Sequence, residues 1–383
     1  VTEPFALAAY LSRWIPAVRH DLAASDSETT TLSDLLDLAG QDDRARWRGL
    51  GFGYLDPRGA DWLRGAVAAR HRRLTADDVL CCAGAQEALA AVVAALLTPR
   101  DHAVVVLPIY QPSEEAVTAL CGATGVALRE TEGWRLDVGE VEAALTPRTR
   151  LVLMNMPNSP TGATLDATTM GDLVALCRRR GLWLVCDEVY RHTLNRAPNL
   201  APDRAQGTAA VADLYERGIS IDGLSKGFGL AGLRVGWIAC RDRRLLEAAL
   251  NAKNRMSSCL CAASEVLAHV ALGAEARILA RSRAVGTRSR ARLDALIARH
   301  PETFGADASH NLAFAFPRYL GPEGADGFAR DLARRAGILV LPASLWRSRL
   351  GRVPTDRLRI GLGRAGAVPA LDALDRHLRV PVP

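Results

Sequence analysis

Lysine is almost missing from this chain: Lys226 and Lys253 are the only two, set against 46 arginines in 383 residues. Arginine is used nearly everywhere that positive charge alone is wanted. A position that stays Lys therefore points to an amine that must shed its proton, which a guanidinium does not do in proteins. No apolar run is long enough to cross a bilayer, so no membrane partner is expected. Val1–Trp14 has no basic head followed by an apolar block, so no secretory signal is expected and the cytoplasm is the expected location. The eight cysteines (Cys81, Cys82, Cys121, Cys177, Cys186, Cys240, Cys259 and Cys261) include no C-x-x-C pair and no histidine at zinc-finger spacing. Several lie in apolar runs, Cys186 in LWLVCDE and Cys240 in VGWIAC. They read as small buried hydrophobes in a reducing compartment, and no metal site is expected. The net charge of +6 comes without interleaved basic and aromatic residues. Its densest clusters, Arg70-His71-Arg72-Arg73 and Arg178-Arg179-Arg180, sit at the ends of predicted helices, where cations suit the helix dipole. No nucleic-acid partner is expected.

What the chain does have is apolar material, 49% of its residues, over a length greater than one core usually organises. From Ala85 to Cys240 short apolar strands alternate with helices. Ala85–Leu97, Pro112–Cys121 and Asp166–Arg180 carry helical periodicity, the last stopped by Gly181. Ala103–Leu107, Arg150–Met154, Leu182–Cys186, Ile219–Asp222 and Val235–Cys240 read as strands. This pattern predicts an α/β fold with a mostly parallel sheet covered on both faces, and ligands beyond the carboxyl ends of its strands. After Arg241 the texture changes. A long helical stretch, Ser264–Arg299, is broken by Gly273 and Gly286. Strand-like runs follow at Asn311–Phe316, Ile338–Leu341 and Arg357–Gly361, with helices near Gly324–Ala336 and from Val368. A smaller α+β domain is expected there. The division expected is a large domain over 43–275 and a small one from 1–42 with 276–383. Pro198–Gln206 reads as a surface loop.

Several segments carry chemistry. Ser220–Cys240 reads SIDGLSKGFGLAGLRVGWIAC. Lys226 follows a strand and Ser225, and Arg234 lies beyond a run of glycines. Glycine at this density lets backbone come close to a ligand, and a Lys on a tight loop at a strand end can reach a carbonyl in the cleft. Asp187 and Tyr190 close a buried strand in CDEVY. Ala83-Gly84-Ala85-Gln86-Glu87 opens the first sheet helix, where N–H groups and dipole form a natural phosphate site. Tyr110 ends the next strand in LPIY. Residues 155–162 read NMPNSPTG, 356–361 read DRLRIG, and 53–59 read GYLDPRG with Leu63-Arg64 beyond.

Together these resemble the fold-type I pyridoxal-phosphate enzymes, the aminotransferase class I/II family, over about residues 20–375. The S-K-x-x-G-x-x-G-x-R-x-G signature is the most specific element. The resemblance implies a large domain built on a seven-stranded-type, mostly parallel sheet with a smaller α+β domain. It implies pyridoxal 5′-phosphate as cofactor, carried by Lys226 as a Schiff base. Asp187 would face the pyridine nitrogen; a negative charge there keeps it protonated, and the pyridinium draws electrons from the substrate carbanion. Tyr190 would reach the ring's phenolic oxygen and Tyr110 would stack on the ring. Gly84, Ala85, Gln86, Ser225 and Arg234 would hold the phosphate. Arg359 would grip the substrate α-carboxylate, since a bidentate guanidinium fixes orientation as well as charge. Tyr54 would reach the phosphate of a neighbouring subunit, which implies a homodimer with shared active sites. Two positions depart from the family. The Asn that precedes the second Pro of the P-N-N-P-T-G turn is Ser159 here, with Asn158 one residue earlier; either could make the contact. Gly223 stands where many relatives carry a Ser or Thr that touches phosphate.

His20–Thr31 reads HDLAASDSETTT. Ordinary family members have a glycine-rich apolar stretch here, across the mouth of the site. This segment looks more like that of capreomycidine synthase and its relatives in specialised metabolism. Its acidic and hydroxyl groups, Ser25 and Glu28 among them, would suit a substrate with a cationic or multiply hydroxylated tail. They equally fit an Asp/Ser cap for the helix starting near Leu32. The expected substrate is a small amino-acid-like molecule. The expected activity is transamination of its α-amine. Elimination, cyclisation or oxidative decarboxylation on a modified amino acid is the alternative.

Overall fold

The computed structural model describes residues 4–195, 209–307 and 309–379, so the expected Pro198–Gln206 loop lies outside the described residues. In chain order the strands are β1 His20–Asp21, β2 Val79–Cys82, β3 His102–Leu107, β4 Gly122–Ala127, β5 Thr149–Asn155, β6 Trp183–Asp187, β7 Gly218–Gly223, β8 Gly236–Ala239, β9 Phe314–Ala315, β10 Ile338–Leu339, β11 Leu341–Pro342 and β12 Leu358–Gly361. Seven of them form one sheet in the order β2-β8-β7-β6-β5-β3-β4. Only β8 runs against the others.

Alternation along each strand explains why this sheet is covered twice. Val105, Leu107, Leu151 and Leu153 point to one face, where they meet the helix Ala85–Leu96 through Ala88, Leu89 and Val92. Val104, Val106, Val152 and Met154 point to the other, where Leu173, Leu176 and Cys177 of the helix Ala167–Arg180 cover them. Asp166 caps that helix by accepting from Thr169 N–H at 2.7 Å, and Gly181 ends it at φ 65°. Both faces apolar is what a buried parallel strand requires.

The C-terminal part forms its own core. Leu293, Leu296, Phe304, Phe328, Ile360 and Leu371 pack there together with Leu22 from the N-terminal segment. β1 pairs with β10 in parallel, which fastens that segment to the C-terminal part. β12 lies between β11 and β9. The break expected at Gly286 is absent: the helix Glu275–Arg299 runs through it. Gly286 instead lets the helix approach residue 312, since a Cβ there would meet the Leu312 carbonyl oxygen at 2.5 Å.

β5, β6 and β7 end side by side, with Asn155 opposite Asp187 and Asp187 opposite Ile221. The loops that follow β2, β3, β5, β6 and β7 carry residues 83–86, 108–110, 156–162, 188–190 and 224–226. Every motif picked out in the large sheet therefore opens onto the same edge.

Candidate active site

Lys226 lies at that edge, two residues beyond Leu224 in the loop after β7. Its ammonium donates to Ser25 Oγ at 3.1 Å and stands 5.4 Å from the centre of the Tyr190 ring. Ser25 Oγ is 3.0 Å from Tyr190 Oη. Burial raises the Tyr190 hydroxyl, but Lys226 and Arg359 beside it more than offset this and hold it below the ordinary phenol range. Phe314 packs edge-on against the Tyr190 ring at 5.0 Å.

Asp187 ends β6. Val189 N–H donates to its Oδ1 at 3.1 Å. Burial, with like charge from Asp222, pushes its pKa up to about 6 against the pull of that N–H and of Lys226. Asp222 is itself tied to His192 Nε2 at 3.1 Å and to Arg191 at 3.4 Å. The uncompensated carboxyl is thus Asp187.

Tyr110 completes the wall. Burial pushes its hydroxyl up to about 12, and the charged groups that act on it are Tyr190, Arg359, Asp187 and Arg234. Residues from four separate motifs therefore converge on one cleft. Phe5 meets the Tyr110 ring edge-on at 5.2 Å.

The phosphate side is built from backbone. Gly84 adopts φ 94° and caps the helix Ala85–Leu96 without any side-chain bond, so the first turn, with Ala85 and Gln86, presents its N–H groups outward. Arg234, itself at φ 52°, places its guanidinium against Gly84, donating to the carbonyls of Ala231 at 3.0 Å and Ala83 at 3.4 Å. Among the described residues no carboxylate pairs with it. Ser225 is half-buried beside Lys226. Gly223 is explained by crowding: a Cβ there would stand 2.9 Å from the Val235 carbonyl oxygen. A Ser or Thr would not fit that approach.

Asn158 and Ser159, the two candidates for one contact, have different surroundings. Asn158 is fully buried; its Nδ2 donates to Pro108 O at 2.9 Å and its Oδ1 accepts from Thr161 Oγ1 at 2.8 Å. Its amide is used inside the loop. Ser159 faces the cleft, with Arg359 Nη1 donating to its Oγ at 3.3 Å.

Arg359 sits in β12 and is 5% exposed. Its Nη2 donates to Ala23 O at 2.8 Å, and the guanidinium lies 4.8 Å over Trp346 and 5.6 Å from Phe314. Nε has no partner, and no carboxylate pairs with Arg359 among the described residues. Burial draws its pKa down. A buried cation without a carboxylate partner is costly.

The N-terminal segment threads between the lysine loop and β12. Ser27 N–H donates to Lys226 O at 2.9 Å, and Gly361 N–H donates to Leu22 O at 2.6 Å. Its acidic groups are taken up within the protein. Arg364 grips Asp26 with two bonds of 3.0 Å, and the Glu28 carboxylate accepts from Ala365 N–H. The helix cap expected from Asp or Ser is supplied by Thr31, in a capping box with Asp34. Tyr54 is 92% exposed.

Three contributors were not picked out from the sequence. Asn155 ties the turn to β6, donating to Asp187 O at 2.9 Å and accepting from Ser159 N–H at 2.8 Å; its place at the head of NMPNSPTG was the available signal. Phe314 and Trp346 wall the cleft but carry no local signal separating them from core. The cleft offers an amine, a half-buried carboxyl, an outward-facing first helix turn with an unpaired cation, and aromatic walls. These residues fit pyridoxal 5′-phosphate.

Several known proteins resemble this chain. The sequence model of the family described as aminotransferase class I and II matches residues 22–369. Arginine–pyruvate transaminase of Pseudomonas aeruginosa is 39% identical over 192 residues, 48% of this chain and 47% of that protein. This chain thus spans about half the length of that relative. A probable N-succinyldiaminopimelate aminotransferase of Mycobacterium tuberculosis is 32% identical over 294 residues, 74% of this chain and 72% of the relative. Among solved structures, a PLP-dependent aminotransferase from Streptococcus suis superposes with a TM-score of 0.88 at 22% identity over 98% of both chains, a likeness of fold. A PLP-dependent cyclase, OrfR, superposes with a TM-score of 0.83 at 25% identity, over 99% of this chain and 98% of that one. This chain is a pyridoxal-phosphate-dependent enzyme of the aminotransferase class I and II family.

Proposed function

We propose that the protein transaminates the α-amine of an amino-acid-like substrate, with Lys226 as the amine that bonds the cofactor. The observation that carries this is the placement of Lys226, Tyr190, Asp187 and the carboxylate-free Arg359 around one cleft. Bound there, the cofactor supplies an electron sink for the carbanion left at the substrate's Cα. The chain's own groups do the rest. Arg359 binds the α-carboxylate with its fork, and Trp346 and Phe314 keep water from that pair. Asp187, the carboxyl without a partner cation, holds a proton on the ring nitrogen. Tyr190, with Ser159 in place of the family's Asn, bonds the ring's phenolic oxygen. Gly84, Ala85, Gln86, Ser225 and Arg234 hold the phosphate. Lys226, once free, takes the Cα proton as general base. The large domain over 43–275 carries these cofactor contacts, and exposed Phe52 and Tyr54 meet a second copy of the chain in a homodimer.

A second reading, cyclisation or elimination from the same carbanion, draws support from the likeness to the cyclase OrfR over nearly the whole chain. Asp26 and Glu28, for their part, have partners within the protein in Arg364 and Ala365 N–H.

Lys226→Ala tests the core of the proposal. The wild type with added cofactor should show a visible absorbance band that the variant lacks; a variant that colours like wild type would refute the role of Lys226. Amino donor alone separates the two readings. A transaminase stops after one equivalent without an oxo-acid acceptor, whereas a cyclising or eliminating enzyme keeps turning over.

A further inference from the structure

We propose that Ser25 relays a proton between Lys226 Nζ and Tyr190 Oη; this deepens the reading of Lys226 as the base and rests on it. Ser25 is 7% exposed and its hydroxyl touches both groups, at 3.1 Å and 3.0 Å. An ammonium only donates, so Ser25 Oγ accepts from Lys226; either oxygen can donate in the 3.0 Å contact with Tyr190 Oη, and the relay uses the arrangement in which the serine proton points to the tyrosine. The tyrosine oxygen is then the acceptor, and the relay starts from the Lys226 ammonium and the Tyr190 phenolate. Moving one proton from Nζ to Ser25 Oγ, and the serine's own proton on to Tyr190 Oη, leaves a neutral amine, an unchanged serine and a neutral phenol. No oxidant, reductant or water is needed, and every atom balances.

The surroundings favour such an exchange. Arg359 from β12 and Lys226 from the loop after β7 act on Tyr190 as cations, while Asp187 at the end of β6 and Asp222 in β7 supply negative charge, and Tyr110 after β3 closes the cluster. Ser25 is held from two sides. Ser27 N–H bonds Lys226 O at 2.9 Å, and Arg359 bonds Ala23 O at 2.8 Å. Glycines at 229, 361 and 363 admit the segment, since a Cβ at any of them would strike the carbonyl oxygens of residues 24–28. The segment thus positions one hydroxyl where the lysine must be neutral to accept a proton.

The chain's composition makes the test clean. Only two lysines exist, and Lys253 is fully buried, donating to Pro57 O at 2.9 Å and Ser258 O at 2.8 Å. Amine acylation read peptide by peptide in mass spectrometry therefore has Lys226 as its one accessible lysine, apart from the terminal α-amine, with Lys253 as an internal control for folding. The full-length chain stripped of cofactor is labelled across a pH series, in wild type, Tyr190→Phe, Ser25→Ala and the double variant. The relay predicts that Tyr190→Phe moves the pH midpoint of Lys226 labelling when Ser25 is present, and moves it far less in the Ser25→Ala background. Ser25→Thr, which keeps the hydroxyl, should restore the wild-type coupling. Equal shifts in both backgrounds, or failure of Ser25→Thr to restore coupling while Lys253 stays protected, would overturn the relay. In the loaded enzyme Ser25→Ala should slow exchange of the substrate's Cα proton roughly tenfold, the low end for losing a hydrogen bond to a charged group. Failure of Lys226 to hold cofactor would count against the functional reading instead, because the labelling series uses none.

Discussion

The guanidinium of Arg234 occupies the space that a Cβ on Gly84 would enter, and Gly84 itself stands at φ 94°. Helix start and cation are therefore assembled as one cradle, and a single methyl disturbs both. Gly84→Ala must strain its backbone by about 1–3 kcal/mol and push Arg234 aside. Cofactor affinity is expected to fall about tenfold or more, as a charge-assisted contact is lost. Gly232 is the control. The space around it is open and its φ is not in the left-handed region. Gly232→Ala should bind cofactor as wild type does in an absorbance titration; equal losses at both positions would contradict the cradle.

Asp187 gives a prediction with a sign. Its folded pKa of about 6 lies above the ordinary 3.8. The folded protein therefore holds this proton more tightly than the unfolded chain does. Stability of the cofactor-free protein from this group is fully present below the unfolded value and is lost as pH rises toward the folded one. The whole shift corresponds to at most about 3 kcal/mol, less to the extent that the carboxyl faces the open cleft. Asp187→Asn should raise the melting temperature of the cofactor-free protein at pH about 7–8, and the gain should vanish near pH about 4. The same variant should lose the cofactor's electron-sink function. A variant less stable than wild type at neutral pH would show that the carboxylate, not the carboxyl, is the favoured form.

The strands most legible in the sequence are those whose two faces are both apolar. β3, β5 and β6 show this directly. β4 escaped because its sequence, GATGVA, has two glycines and little β-branching; its place is set by the ladder along β3, not by its own preference. Gly286 looked like a helix break because composition cannot distinguish a break from a close approach. In the site, the neighbourhood of Lys226, Asp187 and Tyr190 was legible because all three lie in short local motifs at strand ends. The contact of Ser25 with Lys226 spans 201 residues. It depends on how the N-terminal segment threads past Gly361 and Gly363, which no local pattern encodes. For the same reason the acidic residues there gave no hint that Arg364 would take up Asp26.

Phe52 and Tyr54 are 90% and 92% exposed, the most exposed large apolar side chains in the described structure. Their segment is anchored at its base: Lys253 holds Pro57 O, and Leu55 N–H donates to Cys259 Sγ at 3.5 Å. A pair of exposed aromatics beside an anchored segment fits a contact with a second copy. Combined Phe52→Asp and Tyr54→Ser should convert a dimer to a monomer in sedimentation and weaken cofactor binding together. A double variant that remains dimeric, or a wild type that is already monomeric, would refute the shared site.

Arg359 separates stability from function. Its guanidinium is buried without a carboxylate, and its remaining support is one carbonyl, one serine and two aromatic faces. Replacing a buried, poorly compensated charge by an apolar side chain of similar length is often neutral or stabilising. Arg359→Met is therefore expected to melt at or above the wild-type temperature in the absence of substrate. Its kcat/KM for an α-amino acid should nevertheless fall at least a hundredfold, about 3 kcal/mol, as the carboxylate loses its fork. Arg359→Lys should lie between, because a point charge keeps attraction and gives up bidentate geometry. The loss should shrink for an amine substrate that has no carboxylate. If the Met variant discriminates against both substrates equally, Arg359 is not the carboxylate site, and the cleft must bind its substrate by another group.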